Sequence, residues 1–324
     1  MKELDAIKQC LNNLSTGKSQ FVNDLVMIPL CKRTSDARSY KLLEEAISDQ
    51  TAEVSEVSEA GAVPTLLFDN KASEPVLLID GDTLVGAKQN RTLNTSVLVP
   101  PQTRITIPVS CVEAGRWDRR SSHFSPSSDH MYASGRARMM HDVHRAMDEG
   151  LGPQADQHAV WGDIDRKMGR MGVESRTRAM NAMFEQRAQS LNEMARKITA
   201  ITDQIAAIFI VRDRIAGLEL FDHPETMALK LPKLVQSYGL DAVDSTAILG
   251  ECPVSTTEDF LQLIADAQRS EDETVGLGKH TRLQAAGAIG TALVMDGHLV
   301  RLSAFPSTQS THSHDMPRAR RRSA

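Results

Sequence analysis

Apolar residues change their spacing several times along the chain. Ile7, Leu11 and Leu14, with Leu4 before them, recur every three or four residues, which predicts one face of a short amphipathic helix before the polar loop STGKSQ. From Leu25 to Glu113 the pattern becomes short apolar runs, LVMIPL, AEVSEV, TLLFDN, PVLLIDGDTLVG, SVLVPP and RITIPVSCVE, bounded by Pro, Gly, Asp and Asn. Such runs predict strands. Asp80-Gly81, between two of them, predicts a type I′ hairpin, because both central positions of that turn need positive φ, which Gly and Asp tolerate. In RITIPVSC the alternation puts Ile105, Ile107, Val109 and Cys111 on the core face. Pro108 has no amide to give the ladder, which predicts an edge or a bulge.

Residues 139–200 return to helical spacing. From Thr177 onward Met180, Met183, Phe184, Leu191, Met194, Ala195 and Ile198 form one apolar stripe, with Ser175 as its cap. Methionine fills irregular space, so the stripe reads as core rather than as a groove for partners. A shorter helix from Ala159 to Met168 breaks at Gly169 and Gly172. From Gln204, IAAIFIV and IAGLELF read as strands joined by the turn RDR. Asp222 and Glu225 have capping-box spacing and open the helix PETMALKLPKLVQSYGLDAV, which Pro232 should interrupt. The helix TEDFLQLIADAQ follows, then a second hairpin, with Asp296-Gly297 between TALVM and HLVRLSAF. After Pro306 a polar tail with His312 and His314 ends in Arg318, Arg320, Arg321 and Arg322, and its composition predicts disorder.

The expected fold is α+β, with a β-rich amino-terminal half of sandwich or barrel type, central helices, and carboxy-terminal strands and helices closing the same domain. The expected boundaries are a helix and loop over 1–20, one domain over 21–306 (β-rich 25–117, helical 139–200, mixed 204–306) and a tail over 307–324.

Charge then narrows the partners. With 37 basic against 42 acidic residues there is no global pull toward nucleic acid, and the terminal arginines lack the interleaved aromatics of a stacking surface. MKELDAIKQCLNN has none of the features of a signal peptide and no apolar run reaches membrane-spanning length, so a cytoplasmic protein that does not engage membranes is expected. Cys10, Cys31, Cys111 and Cys252 show no CxxC pair, which argues against a disulfide framework or a zinc ribbon.

The candidate chemistry concentrates between Asp80 and Trp117, where Lys88, Gln89, Asn90 and Arg91 sit between strand-like runs that end in Glu113, Arg116 and Trp117. On a strand, Lys88 and Asn90 would face one side and Gln89 and Arg91 the other, unless Gly86 introduces a bulge. Cations beside amides suit an anionic or nucleotide-like ligand. Pairing of the Ser110 strand with the Arg91 strand would bring Glu113 and Arg116 back to the same place. The alternative is internal architecture, with Lys88 or Arg91 paired to Glu113 and the amides satisfying backbone. If the site were catalytic, Glu113 would serve as acid or base and Arg116 as electrostatic stabiliser.

His141 and His144 share a helix face and, with His158, are the best-spaced metal candidates, but no HExxH companion supports them. No nucleophile elbow, phosphate-binding loop or dinucleotide fingerprint occurs, so no cofactor is expected; Gly276-Leu-Gly278 is too short a pattern. Cys111, on its strand, reads as an inert buried thiol.

The stretch GAKQNRTLNTSVLVPPQTRITIPVSCVEAGRW, followed by DQHAVWGDI, GLELFDHPETMALKLPKLVQSYGLDAV and ALVMDGHLVRLSAF, resembles the bacterial ADP-ribosylglycohydrolase- and rhodanese-phosphatase-superfamily-associated protein domain. The resemblance runs from about Leu25 to Phe305. It implies an α+β domain found in company with proteins that process ADP-ribose or phosphate esters, and it carries over no catalytic residue. The tail and an Arg-rich surface between Trp117 and Arg145 are departures from the family pattern. The function expected is a binding or accessory protein for a small phosphorylated or nucleotide-like ligand related to ADP-ribose. Alternatives are a hydrolase of such a ligand, or an assembly protein that forms a homo-oligomer through the first helix or the methionine stripe.

Overall fold

The computed structural model describes residues 2–33, 37–58, 61–118, 121–247 and 249–307. The expected tail, apart from Ser307, lies outside the described residues, and with it His312, His314 and the terminal arginines. Helix α1 (Lys2–Asn12) leads into β1 (Ser15–Thr16), β2 (Gln20–Val22) and β3 (Leu25–Cys31). Next come β4 (Lys41–Leu42), α2 (Leu43–Ser48), β5 (Ala52–Ser55), β6 (Thr65–Asn70), β7 (Val76–Leu78) and β8 (Asp82–Gly86). Strands β9 (Arg91–Leu93), β10 (Val97–Val99), β11 (Thr103–Cys111) and β12 (Phe124–His130) complete the β-rich half. Helices α3 (Ala133–Asp148), α4 (Gln157–Met171), α5 (Asn181–Gln186) and α6 (Ala188–Lys197) follow. The last part contains β13 (Gln204–Val211), β14 (Arg214–Phe221), α7 (Pro224–Val243), α8 (Thr257–Ala265), β15 (Gln268–Glu273), β16 (Lys279–Ala285), β17 (Ala288–Met295) and β18 (His298–Pro306).

Among the described residues these strands make three sheets, and the fold is α+β with a β-rich amino-terminal half. The large sheet runs β1-β3-β13-β14-β18-β17-β16-β15, so strands from both ends of the chain share it; a second runs β12-β8-β9-β11-β6-β5, and β10-β7-β4 form a small third. The continuous apolar run of β13 follows from burial on both faces. On one side Ala207, Phe209 and Val211 pack with Leu231, Leu234, Val235 and Tyr238 of α7. On the other Ala206 and Ile208 pack with Ile7 and Leu11 of α1 and Phe260 and Ile264 of α8. Each of the larger apolar side chains among these stabilises the fold by roughly 1.5–3 kcal/mol. Ile7, Cys10 and Leu11 of α1 are buried in the second of these clusters, and Met180, Met183, Phe184 and Leu191 of the methionine stripe in another.

Several local expectations change. Asp80-Gly81 does not close a hairpin: β7 pairs with β10 and β4, whereas β8 pairs with β9 and β12, so the link passes from one sheet to another. Only Gly81 has positive φ (88°). A side chain there would collide with Arg136 Cδ at 2.2 Å, and the approach of that arginine is what demands glycine. The Asp296-Gly297 turn (φ 50° and 77°) does join β17 to β18, and Arg212-Asp213 (φ 49° and 60°) joins β13 to β14. Strand β11 is internal rather than an edge: Thr103–Pro108 pairs with β6 and Val109–Cys111 with β9, so Pro108 sits at the hand-over, where its missing donor costs least.

Helix α7 runs unbroken through Pro232, because packing of Leu231, Leu234 and Val235 outweighs the roughly 3 kcal/mol that an internal proline costs. Its cap is His223, whose Nδ1 accepts from Glu225 N at 3.2 Å; Asp222 instead accepts the Tyr40 hydroxyl. Ser175 Oγ accepts from Ala179 N, ahead of α5 rather than at its cap. The polar strands β12 and β15 and the first turns of α3 had no apolar pattern to announce them. Nor is the segment up to Arg145 a uniform Arg-rich surface, for Arg136 is fully buried.

Candidate functional site

Strand β8 ends in a tight turn. Gly86 (φ 127°) and Ala87 (φ 37°) reverse the chain, and Lys88, Gln89 and Asn90 lie in the connection to β9, not on a strand, so they do not divide between two sheet faces. A side chain at Gly86 would meet Ser121 Oγ at 2.7 Å and His123 O at 2.8 Å. Cys111 lies opposite Arg91, and this register brings Glu113 and Arg116 back to the turn. There Asn90 N donates to Glu113 Oε2 at 3.1 Å, Gln89 Nε2 donates to Glu113 O at 3.0 Å and Arg116 Nη2 donates to Glu113 Oε2 at 2.6 Å. Arg116 also donates to Asn90 Oδ1 (3.1 Å), Ala87 O (2.8 Å) and Asp118 O (2.9 Å). Burial alone would lift the Glu113 carboxyl, but the Arg116 guanidinium, with donors from Thr177 and Asn90, holds it below its ordinary value. Glu113 is thus committed to its arginine.

The other members separate from this group. Trp117 is 47% exposed, with the Lys88 ammonium 5.3 Å and the Arg91 guanidinium 5.9 Å from its ring centroid. Arg91 is fully buried and donates from Nη1 to Gln89 Oε1 at 3.1 Å. The seven predicted residues therefore form an aromatic–cation stack (Lys88, Arg91, Trp117), an internal tie (Gln89, Glu113) and a pair, Asn90 and Arg116, on a cavity wall.

That cavity has a volume of about 620 Å³. Gly86, Asn90 and Arg116 lie on one wall, Ser127, Ser128 and Asp129 on a second, and Asn181, Phe184, Glu185, Leu191, Asn192 and Gln236 of α5, α6 and α7 form most of the rest. The second wall exists because β12 leaves its ladder: Pro126 pairs with Leu84 and His130 with Asp82, so four steps on β12 match two on β8. A bulge re-aims side chains, and here it turns three consecutive polar residues toward the cavity. Lys233 Nζ holds Ser127 O at 2.5 Å, and Ser127 Oγ accepts from Asp129 N at 3.1 Å. Ser128 Oγ donates to Asp129 Oδ1 at 3.3 Å. Burial pushes the Asp129 carboxyl above its ordinary value and Glu185 adds to this, against the pull of Ser128, Ser127 and Lys233.

The chain matches a family profile described as ARG and Rhodanese-Phosphatase-superfamily-associated Protein domain, ARPP-1, over residues 13–305. It belongs to the ARPP-1 family. Comparisons with curated proteins and with solved structures return no match. The ARPP-1 match includes the turn, the β12 bulge and every residue of the cavity wall.

Elsewhere in the ARPP-1 domain, buried carboxylates are closed by cations. Asp80 accepts from Arg301 Nε (3.2 Å), Ser96 Oγ (2.7 Å) and Ser303 Oγ (3.0 Å), and lies 3.5 Å from Arg136. Glu219 accepts from Arg136, Arg301 and the Tyr238 hydroxyl, the last at 2.8 Å. Asp82 meets Lys230 (2.8 Å) and His130 (3.1 Å). Asp163 meets Arg138, Asp241 meets Lys167, and Asp244 meets Lys167 and Arg170. Among the described residues Asp129, 9% exposed, forms no ion pair; the Glu56 carboxylate oxygens, away from this cavity, are likewise buried without a hydrogen-bond partner.

His141 and His144 do not build a metal centre: among the described residues no group of three or more metal-ligating side chains is placed to hold an ion. Burial, with His280 and Arg282 nearby, pushes His144 down to about 3, and the cationic Arg282 donates to His144 O at 3.0 Å. His141 Nε2 lies 3.2 Å from Ser307 Oγ. The Cys111 thiol is buried beside Gln89 Oε1 (3.1 Å), and burial pushes its pKa up, so it is no nucleophile at neutral pH.

Proposed function

We propose that this ARPP-1 domain is a cytosolic binding protein for a small ribose-bearing ligand of nucleotide or ADP-ribose type, held in the cavity between the Gly86–Asn90 turn, the β12 bulge and α5–α6. The observation that carries the reading is the cavity's lining. Side-chain amides of Asn90, Asn181, Asn192 and Gln236, hydroxyls of Ser127 and Ser128, and the carboxylates of Asp129 and Glu185 share one space with the apolar faces of Phe184 and Leu191. Amides and carboxylates in this mixture suit vicinal hydroxyls, and an apolar face beside them suits a sugar ring or a base. The volume of about 620 Å³ falls in the range of ligand pockets. Asn181 Oδ1 and Arg116 Nε, both on the wall, have no hydrogen-bond partner in the protein.

The same geometry moves the emphasis from phosphate to ribose. The Nη groups of Arg116 are taken by Gly86 O, Ala87 O, Asp118 O, Asn90 Oδ1 and Glu113 Oε2, so this arginine shapes the wall rather than gripping an anion. The family's own description, which pairs it with ARG proteins, supports a ligand of this class by association. The four cysteines are unpaired, as suits a reducing compartment, and no described helix is long and apolar enough to cross a membrane.

A thermal-shift panel of ADP-ribose, NAD, ribose 5-phosphate and mononucleotides tests the reading. At a hundredfold excess over Kd a true ligand stabilises by about 2.7 kcal/mol, a shift of several degrees. Gln236→Ala, which removes only a surface amide bonded to Asn192 at 2.9 Å, should leave the unliganded melting temperature unchanged and cut the shift by about half or more. No shift from any member of the panel would overturn the proposal.

A further inference from the structure

Resting on the binding reading above, we infer that the cavity hydrolyses its ligand: it cleaves the bond between the anomeric carbon of a riboside and its leaving group, with Asp129 as proton donor and Glu185 as the base that activates water. Three observations converge. The first is the imbalance of charge. Among the described residues Asp80, Asp82, Glu113, Asp163, Glu219, Asp241 and Asp244 all form ion pairs, whereas Asp129 meets the hydroxyls of Ser127 and Ser128 and feels Lys233 only beyond ion-pair distance. Burial without a close counter-charge shifts a carboxyl toward its neutral form, the form that can donate a proton. The second is aim: the break in the β8–β12 ladder turns Asp129 toward the cavity, where a regular strand would have kept it in the sheet's alternation. The third is the opposite environment of the other acid. Glu185 is solvent-exposed on the same cavity and is held by Asn181 Nδ2 at 2.7 Å on Oε1, so it stands where water enters.

Two carboxyl groups in contrasting surroundings on one sugar-sized cavity are the minimum for glycosidic hydrolysis. The step balances with water as the only co-reactant. Glu185 takes a proton from water as its oxygen bonds to the anomeric carbon, the bond to the leaving group breaks with its electron pair staying on the leaving atom, and that atom takes the proton of Asp129. The two carboxyl groups then exchange protons with solvent. Phosphoryl transfer would instead need cations on the phosphate, and the Arg116 Nη groups are already bonded within the wall.

The test uses the full chain and both anomers of 4-nitrophenyl and phenyl ribofuranosides. The wild type should release both phenols, with a rate that falls as pH rises through the Asp129 titration. Asp129→Asn should lose about 10²–10⁴-fold on the phenyl riboside, whose leaving group needs a proton, and far less on the nitrophenyl one, and the pH limb should vanish. Glu185→Gln should lose rate on both. The ADP-ribose thermal shift of each variant is measured alongside, and rates are compared at saturating riboside, so that lost binding is separated from lost turnover. A wild type that shows the shift but hydrolyses none of the four ribosides overturns the catalytic inference and leaves binding intact; absence of both overturns both. Rates unchanged in the two variants overturn the assignment of roles. Should Asp129→Asn fail to fold, the exposed Glu185→Gln decides alone.

Discussion

The cluster of Asp80, Arg136, Glu219 and Arg301 and the wall of the cavity at Asp129 are both polar regions placed where a core would be, and they differ in one respect. In the cluster every charge has an opposite charge, with Tyr238, Ser96 and Ser303 filling the remaining acceptor positions. At the cavity the carboxylate has hydroxyls and space. Burial of charge is expensive in either place, but a closed set offsets the cost with Coulombic attraction and hydrogen bonds, while an open one leaves part of it unmet. Closure therefore marks architecture, and the open position is the one the proposed ligand would fill. The same distinction sorts the residues of the Gly86–Trp117 block: Gln89, Glu113 and most of Arg116 are closed on one another, and Asn90 reaches the cavity.

The contrast is broken most severely by opening the closed cluster. Glu219→Gln leaves Arg136 and Arg301 buried with reduced compensation and should cost about 3–5 kcal/mol in urea unfolding. A loss below 1 kcal/mol would show that the cluster is not closed as described.

Acid should act on the same cluster next. Burial alone would raise the Glu219 carboxyl, but Arg136 and Arg301 overcome this and hold it at about 2. A depressed carboxylate contributes stability above its unfolded value, near 4.5, that is lost as pH falls toward about 2. Buried His280 and His144, pushed down by burial to about 4 and about 3, start the loss earlier, from about 6.5, because they stay neutral in the folded protein but take up protons freely in the unfolded chain. Chemical denaturation from pH 8 to 3 should show stability declining from about pH 6.5, and His280→Asn should remove part of the early decline.

The open region should respond with the opposite sign. Asp129 is raised, so its ionisation opposes folding and its contribution worsens as pH rises through the folded value. Asp129→Asn should raise stability at pH 7, by less than Glu219→Gln lowers it. The smallest effect belongs to the aromatic–cation stack. Trp117→Ala removes contacts at a half-exposed ring worth about 0.5–1 kcal/mol and should leave ligand-induced shifts untouched.

What the sequence made legible was local or strongly patterned. The β13–β14 pair followed from an uninterrupted apolar run broken by RDR, and the β17–β18 hairpin from Asp296-Gly297, whose two positive φ values are what that dipeptide offers. The return of Glu113 and Arg116 to the turn followed from pairing of β9 with β11. Asp80-Gly81 carries the same two letters as the true hairpin, yet its flanking strands find partners in different sheets, a choice made by tertiary packing. Asp129 was hidden because FSPSSDH has no apolar alternation, and its Pro-Ser-Ser run, the one hint of an irregular strand, says nothing about which cavity the irregularity faces. Arg136, Glu219 and Arg301 lie on three elements distant in sequence, so their burial as a set is visible only once the large sheet has formed.

The claim that the open polar wall, and not the exposed stack, is the ligand site is tested most directly by calorimetric titration of ADP-ribose into the wild type, Gln236→Ala and Trp117→Ala. The account predicts binding by the wild type and by Trp117→Ala with similar affinity, and at least a tenfold loss in Gln236→Ala. Binding kept by Gln236→Ala and lost in Trp117→Ala would contradict it.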